Sequence, residues 1–551
     1  MSSTLSTLPN KQEITPEQGE ELRQRFREDP AFFFKHVLGA DLWPAQLEIV
    51  LSVRDNRITT VASCHAIGKS FTASAIGAWY IMAYPDSILV STAPTFRQVQ
   101  DILWREINAR HENALVPLGG SVTQVRWNLG ANWFGVGLST NDPDRFQGYH
   151  ARSGRLLVIT DEAAGIPEPI FEAVDAVLTA EDNRLLMIGN PTSNSGSFFD
   201  SHRPGYPAHR IKIDAFKTPN FTHNNIHNEA DLILAIEGSE EQGIPPRKLI
   251  LPRPYLISPI WTYERIIKWG VDSPVYQARV AANFPSQGED TLIPLNWIEA
   301  AATEARREGE WIRTASGERK FVEGIAKGDP RYGVDVARFG SDRTVIAPRL
   351  GNNVQKLSTY SKEDTMSTTG RVQNLLMQDY RALAMIDVIG VGAGVVDRLK
   401  EIQKEVARDG GTKDVTRIVA VNVAEACDND EDKGRFINKR ALYYWRLREL
   451  FEKGIIAIPD DEELIVELSA LKYKFDSAGR ILIEKKEEMK KRLLKSPDKA
   501  DAVMLSFAAG GGGHWLQEAK SERSDITSGE PLRASQRPQS TFSSGLKGKQ
   551  F

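Results

Sequence analysis

The passage that most constrains this chain is the apolar run Ile58–Ala62 leading into Ser63-Cys64-His65-Ala66-Ile67-Gly68-Lys69-Ser70 and then into a helix-patterned stretch over 70–84. A loop that cradles phosphate needs backbone N–H groups turned inward at a helix N-terminus, a lysine on the outer phosphates and a hydroxyl on Mg²⁺. Lys69 and Ser70 supply the last two. Gly68 permits the close backbone approach, and Ser63 opens the loop where glycine is usual. Such a loop needs a sheet behind it. From about residue 30 to 215, apolar runs at 58–62, 87–92, 156–160 and 185–189 alternate with amphipathic stretches, which predicts an α/β fold with a parallel-type sheet.

The run Leu156–Thr160 ends in Asp161-Glu162, the acidic pair that such a site needs. Asp161 is placed to hold Mg²⁺ through water and Glu162 to polarise the attacking water, with a simple turn cap as the alternative for Asp161. Gln46, in Trp43-Pro44-Ala45-Gln46, is a candidate reader of the adenine edge, against a surface glutamine beside a packed tryptophan. The turn Gly189-Asn190-Pro191-Thr192 is a candidate sensor of the γ-phosphate. Arg145 is the candidate arginine donated to a neighbouring subunit's phosphate, with Arg152 and Arg155 as competitors and a surface salt bridge as the plain alternative.

A second pattern begins at Tyr332. Asp335 lies between Val334 and Val336, so strand alternation sends it to the opposite face from both. An aspartate in an otherwise apolar strand needs a partner, and a metal ion is a frequent one. Ala384-Met385-Ile386-Asp387 is another apolar strand ending in aspartate, and Asp498 and Asp501 lie three apart at a late helix start. Strand acid, hairpin, helix, strand acid, late helix acid is the order of a ribonuclease-H-like fold. Acids converging at that sheet end can bind two Mg²⁺ or Mn²⁺ ions for phosphodiester cleavage. Asp335, Asp387 and Asp498 are the expected ligands, with Asp501 and Asp342 as auxiliaries, and a helix cap as the alternative for Asp498.

The 551 residues are too many for one ordinary core. The expected divisions are a polar arm over 1–28, a first domain over 29–290 with a lid from about 216, a linker over 291–325, a second domain over 326–515, and a disordered tail over 516–551. A net charge of -4 excludes a general polycation, so a nucleic-acid surface must be a local patch. Lys485, Lys486, Lys490, Lys491, Arg492 and Lys495 form a basic run just before Asp498, diluted by Glu484, Glu487 and Glu488; the plain reading is a solvated face, and the position beside the expected metals suits contact with phosphate backbone. Two distant cysteines, Cys64 and Cys427, suggest neither a disulfide framework nor a zinc site, and no run has the roughly 18–20 apolar residues of a membrane span.

The phosphate loop followed by STAPTFRQVQ, ITDEAAGIP and IGNPTS resembles the ATPase half of the large terminase subunits of tailed bacteriophages. GVDVARFGSDRTV, MIDVIGVGAGVVDRL, FINKRALYYW and SPDKADAV are similar to the nuclease half. The resemblance covers roughly residues 30 to 510. It implies a P-loop (RecA/ASCE-like) ATPase domain followed by a ribonuclease-H-like nuclease domain. It also implies ATP and Mg²⁺ as cofactors, and double-stranded DNA, a portal protein and a small terminase subunit as partners. A homo-oligomeric ring attached transiently to a procapsid in the host cytoplasm follows too. By motif match Lys69 and Ser70 carry phosphate and magnesium binding, Asp161 the magnesium, Glu162 hydrolysis, and Asp335, Asp387 and Asp498 the nuclease metals. The rival readings are an ATP-driven DNA helicase or remodeller, and a nucleotide-binding docking protein without catalysis.

Overall fold

The apolar runs of the first half become adjacent parallel strands: Ile58–Ser63, Ile88–Thr92, Leu156–Asp161 and Arg184–Gly189. They are buried almost throughout, as parallel strands covered by helices on both faces must be. The computed structural model describes residues 15–508 except 140–142, 147, 150, 152, 286–289, 305–308, 314–318, 324–328, 338–342, 362–363, 380, 409–416 and 494–495. The tail expected over 516–551 and the candidates Arg152 and Asp342 lie outside the described residues.

The first sheet has eight strands in the order Ser121–Thr123, Arg126–Gly130, Trp133–Gly137, Ile88–Thr92, Leu156–Asp161, Arg184–Gly189, Ile58–Ser63, His209–Ile213. From Trp133–Gly137 onward the neighbours are parallel, and the first three strands form an antiparallel edge. The strand His209–Ile213 is not predicted from sequence, because its polar edge residues mask the alternation. Its Ile213 carbonyl accepts the Cys64 N–H at 2.8 Å, which steers the chain out of Ile58–Ser63 into the phosphate loop.

Two expectations about the chain's organisation are corrected. Residues 15–28 are no arm. Pro16–Glu28 is a helix with a Thr15/Gln18 capping box and proline in its first turn. Its one buried residue, Phe26, anchors it, and the Trp79 indole donates to the Phe26 carbonyl at 2.8 Å. The stretch expected as a linker over 291–325 opens with the helix Leu295–Glu304, whose Leu295 and Ile298 are fully buried. That helix packs against Lys439–Glu452 and Glu462–Ser469 of the second half. Within the expected lid, Pro259 and Pro274 begin the helices Pro259–Trp269 and Pro274–Arg279.

The second sheet runs Asn353–Val354, Arg343–Leu350, Pro330–Asp335, Leu383–Asp387, Ile418–Val421, with Ser358–Ser361 also pairing Arg343–Leu350. Arg343–Leu350 is antiparallel to Pro330–Asp335, and the next two strands are parallel to it. This is the ribonuclease-H-like order. The single strand expected near 354–360 is broken into two short ones, and the helix expected over 371–381 starts earlier, as Thr365–Gln378 capped by Asp364. Val334 and Ile386 pack into the apolar core on one face of the sheet. Gly333 and Asp335 therefore face the other side, where the helix Asp498–Ser506 lies. Among the described residues no helix is long and apolar enough to cross a membrane.

Candidate functional site

The phosphate loop is built as its composition demands. Ala66 and Gly68 take positive φ, 51° and 82°, and a Cβ at Gly68 would stand 2.9 Å from the Gln46 amide nitrogen. Ser63 needs no glycine because it is still extended strand, in register with Ile213. Its hydroxyl is buried and, among the described residues, has no hydrogen-bond partner. Lys69 is buried at the start of the helix Lys69–Ala83, and its ammonium lies 3.1 Å from Asn190 Oδ1 and 3.6 Å from Glu162 Oε1. Asn190 Nδ2 donates to the Ser63 carbonyl, so the turn after Arg184–Gly189 braces both the loop and its lysine.

Ser70 Oγ donates to Asp161 Oδ2 at 2.9 Å, the pairing expected of a hydroxyl and a carboxylate that share one Mg²⁺. Burial, and then the neighbouring Glu162 carboxylate, push the Asp161 carboxyl up to about 6. Glu162 sits in the left-handed region at φ 49°, a conformation costing a non-glycine residue on the order of 1 kcal/mol, with its side chain 39% exposed. The pocket in front of these groups encloses about 480 Å³. Its far wall holds Arg279 and Glu299, with Asp460 and Ile465 from the second half. A buried lysine, a hydroxyl–carboxylate pair and a glutamate facing open space fit a nucleoside triphosphate with Mg²⁺.

Other expected nucleotide residues are placed differently. Gln46 is buried: its Nε2 donates to Thr72 Oγ1 at 3.0 Å and to the Ile67 carbonyl at 3.4 Å, and its Oε1 accepts the Trp43 N–H. Here its amide is a brace behind the loop rather than a free base reader. Arg145 is exposed on the turn Pro143–Phe146 and does not line the pocket of its own chain. Arg155 makes the surface ion pair, 3.0 Å from Asp182, with its guanidinium over Tyr84.

The aspartates meet as the second sheet dictates. Asp335 and Asp387 end adjacent parallel strands, with Val334 in register with Ile386, so both carboxylates leave the same end of the sheet. With Asp498 they line a pocket of about 540 Å³. Asp498 Oδ2 accepts the Arg343 N–H at 3.0 Å. Asp501 lies deeper, with the Tyr444 hydroxyl 2.6 Å and Arg440 3.5 Å from its Oδ1. Lys486 sits among the acids, its Nζ 2.7 Å from Asp501 Oδ2 and 3.3 Å from Asp335 Oδ2. This corrects the reading of Lys486 as part of a solvent-facing basic run; the side chains of Lys491, Arg492 and Lys495 lie outside the described residues.

Burial, then the other aspartates acting against Lys486, push the Asp335 carboxyl up to about 7. Burial also opposes charge on Asp501, but Lys486 and Arg440 outweigh it and hold that carboxyl below its usual range. Among the described residues no three metal-ligating side chains stand close enough to hold an ion as they are. The reason is visible: an ammonium occupies the space between Asp335 and Asp501. A lysine cation bridging two buried carboxylates, in an all-oxygen donor set, fits a site for a hard divalent ion.

No protein-family model matches the chain. Over 505 residues, 84% of this chain and 87% of the other, it is 26% identical to a probable terminase large subunit of Enterobacteria phage P7. The chain is similar in sequence to a phage large terminase subunit. Among solved structures, the nuclease domain of the large terminase subunit of bacterial virus Sf6 is 23% identical, covering 40% of this chain and 100% of that one at a TM-score of 0.33. A large terminase from a thermophilic bacteriophage is 11% identical over 84% of this chain and 97% of its own, with a TM-score of 0.34. Both TM-scores are low, so the relationship rests on the sequence match.

Several residues that shape the acidic pocket declare no such role in the sequence. Arg343 grips Glu463 through two nitrogens, at 2.9 and 3.1 Å, while Glu467 accepts the Ala500 N–H at 2.9 Å. The helix Glu462–Ser469 thus holds the Asp498 turn in place. Gly333 matters most: a Cβ there would stand 2.0 Å from the Ala502 carbonyl and 2.4 Å from the Ser506 nitrogen. Only glycine lets the Asp498 helix close on the strand that carries Asp335. Gly333→Ala is expected to lose about 2–3 kcal/mol in denaturant unfolding, because backbone, unlike a side-chain tip, cannot step aside.

Proposed function

We propose that the chain is the ATP-driven motor and endonuclease of phage genome packaging, drawing double-stranded DNA into a procapsid and cutting concatemeric DNA. The observation that carries this reading is the presence, in one chain similar to a large terminase, of a nucleotide pocket on one sheet and, on another, a pocket lined by Asp335, Asp387 and Asp498 with Asp501 behind it. A helicase would carry a second motor domain in that half instead.

In the nucleotide pocket Lys69 binds the outer phosphates, Ser70 and Asp161 hold Mg²⁺, and Glu162 orients and deprotonates the attacking water. The loop's backbone N–H groups donate to the remaining phosphate oxygens. Gln46 supports the loop, and an adenine contact requires its amide to exchange Thr72 for the base edge. Arg145, exposed on its turn, is assigned to a neighbouring subunit's nucleotide, which suits a ring on a portal protein.

In the acidic pocket Asp335, Asp387, Asp498 and Asp501 would hold the divalent ions, Asp501 from the side where Lys486 now stands and Asp498 from the Arg343 side. Mg²⁺ or Mn²⁺ supplies an activated water and stabilises the leaving oxygen. The protein's part is to collect the carboxylates at a sheet end and to steer phosphate with the exposed Lys485 at the pocket's rim. The working setting is the host cytoplasm, during transient attachment to the procapsid, with a small terminase subunit delivering DNA.

The direct test is protection of double-stranded DNA from added nuclease in purified procapsids, with this chain, its cognate small subunit and ATP. The reading expects protection that needs both the chain and ATP. Equal protection without ATP, or none under any condition, counts against it.

A further inference from the structure

Two cations at the nucleotide site are held by glutamates. Lys69 lies 3.6 Å from Glu162, and Arg279 Nη2 lies 2.8 Å from Glu299 Oε1. Arg279 ends the helix Pro274–Arg279, and its carbonyl accepts the His65 N–H at 2.8 Å, so its backbone is fixed to the phosphate loop. Its side chain is 16% exposed, and its Nε is buried with no hydrogen-bond partner among the described residues. Glu299 belongs to the helix Leu295–Glu304, hydrogen bonds the Thr192 side chain from the turn that braces Lys69, and feels the charge of Glu162. Arg279 and Glu299 therefore line the same pocket as Ser70, Asp161 and Asn190.

Resting on the nucleotide reading above, we propose that Arg279 senses the terminal phosphate within its own subunit, exchanging its ion pair with Glu299 for one with the γ-phosphate. A guanidinium can meet a phosphate with two parallel N–H donors, and a phosphate with more charge than a carboxylate outcompetes it. The buried, unpartnered Nε is the donor that a second phosphate oxygen would satisfy. A diphosphate lacks the oxygens that reach this position, so Arg279 stays with Glu299 in the product state. The exchange distinguishes triphosphate from diphosphate without any residue from a neighbour.

The test is calorimetric titration of the full chain with ATPγS and with ADP, each with Mg²⁺. Arg279→Gln is expected to weaken ATPγS binding about tenfold or more while ADP affinity stays within about twofold. Glu299→Gln is expected to act with the opposite sign, strengthening ATPγS binding several-fold because Arg279 is released in advance. A residue with only a structural role would shift both nucleotides together and give the two variants the same sign. Equal weakening of ATPγS and ADP by Arg279→Gln, or no strengthening by Glu299→Gln, overturns the inference while the nucleotide pocket stands. If Arg279→Gln does not fold, the Glu299→Gln titration decides. Failure of the unaltered chain to bind either nucleotide overturns the pocket's reading and this inference together.

Discussion

Glu162→Gln is expected to lower ATP hydrolysis by about 10²–10⁴-fold, the range for removing a positioned general base, while nucleotide binding survives. Gln keeps the size of the side chain and can hold the same left-handed backbone conformation, φ 49°. What it loses is the proton-accepting oxygen and the negative charge 3.6 Å from Lys69. Loss of that charge leaves Lys69 and the raised Asp161 carboxyl to accommodate each other, so triphosphate affinity is expected to hold or rise. Phosphate release measured beside equilibrium binding of a fluorescent ATP analogue separates the two effects. Undiminished hydrolysis would remove Glu162 from the chemistry.

Asp335→Ala is expected to reduce metal-dependent cutting of plasmid DNA by about 10³-fold, since a lost ligand forfeits several kcal/mol of charge stabilisation in the transition state. ATP hydrolysis is expected to remain near the level of the unaltered chain. Asp335 is buried with like charges for neighbours, which is why its carboxyl is pushed up to about 7. Removing it relieves repulsion, and Lys486 keeps Asp501 as a partner at 2.7 Å. The fold is therefore expected to tolerate the change. The readout is conversion of supercoiled plasmid by gel, with phosphate release assayed on the same preparation. Equal cutting by the variant and the parent would exclude Asp335 as a ligand.

Features that lie close together along the chain are legible in its sequence. Strand, loop and helix around Lys69, the Asp161-Glu162 pair, and the two strands ending in Asp335 and Asp387 each declare themselves within a dozen residues. Groups that act from a distance leave no such trace. Arg279 is one charge at the end of a six-residue helix, and its partner Glu299 comes from a stretch that reads as a linker. Lys486 reads as a solvated charge because Glu484, Glu487 and Glu488 surround it, yet alternate exposure along that segment turns it inward. Arg440 and Tyr444 lie four apart on one face of Lys439–Glu452, and only the fold brings Asp501 against them. Gly333 is legible as a letter in a motif, but its necessity comes from a helix that arrives about 170 residues later.

The choice between Asp498 and Asp501 shows the same limit. Spacing puts both on one helical face, and both are buried. Their partners differ: a backbone N–H for Asp498, and a lysine shared with Asp335 for Asp501. The shared lysine marks the place where a divalent ion would take over the work of a cation.

Crystals of the chain soaked in Mn²⁺ and measured for anomalous scattering test the central claim most directly. The account predicts a manganese peak within bonding distance of Asp335 and Asp387, completed by Asp501 or Asp498, with the Lys486 ammonium turned out of the space between Asp335 and Asp501. Manganese bound elsewhere, or an unmoved Lys486 with no peak among the four aspartates, would contradict it.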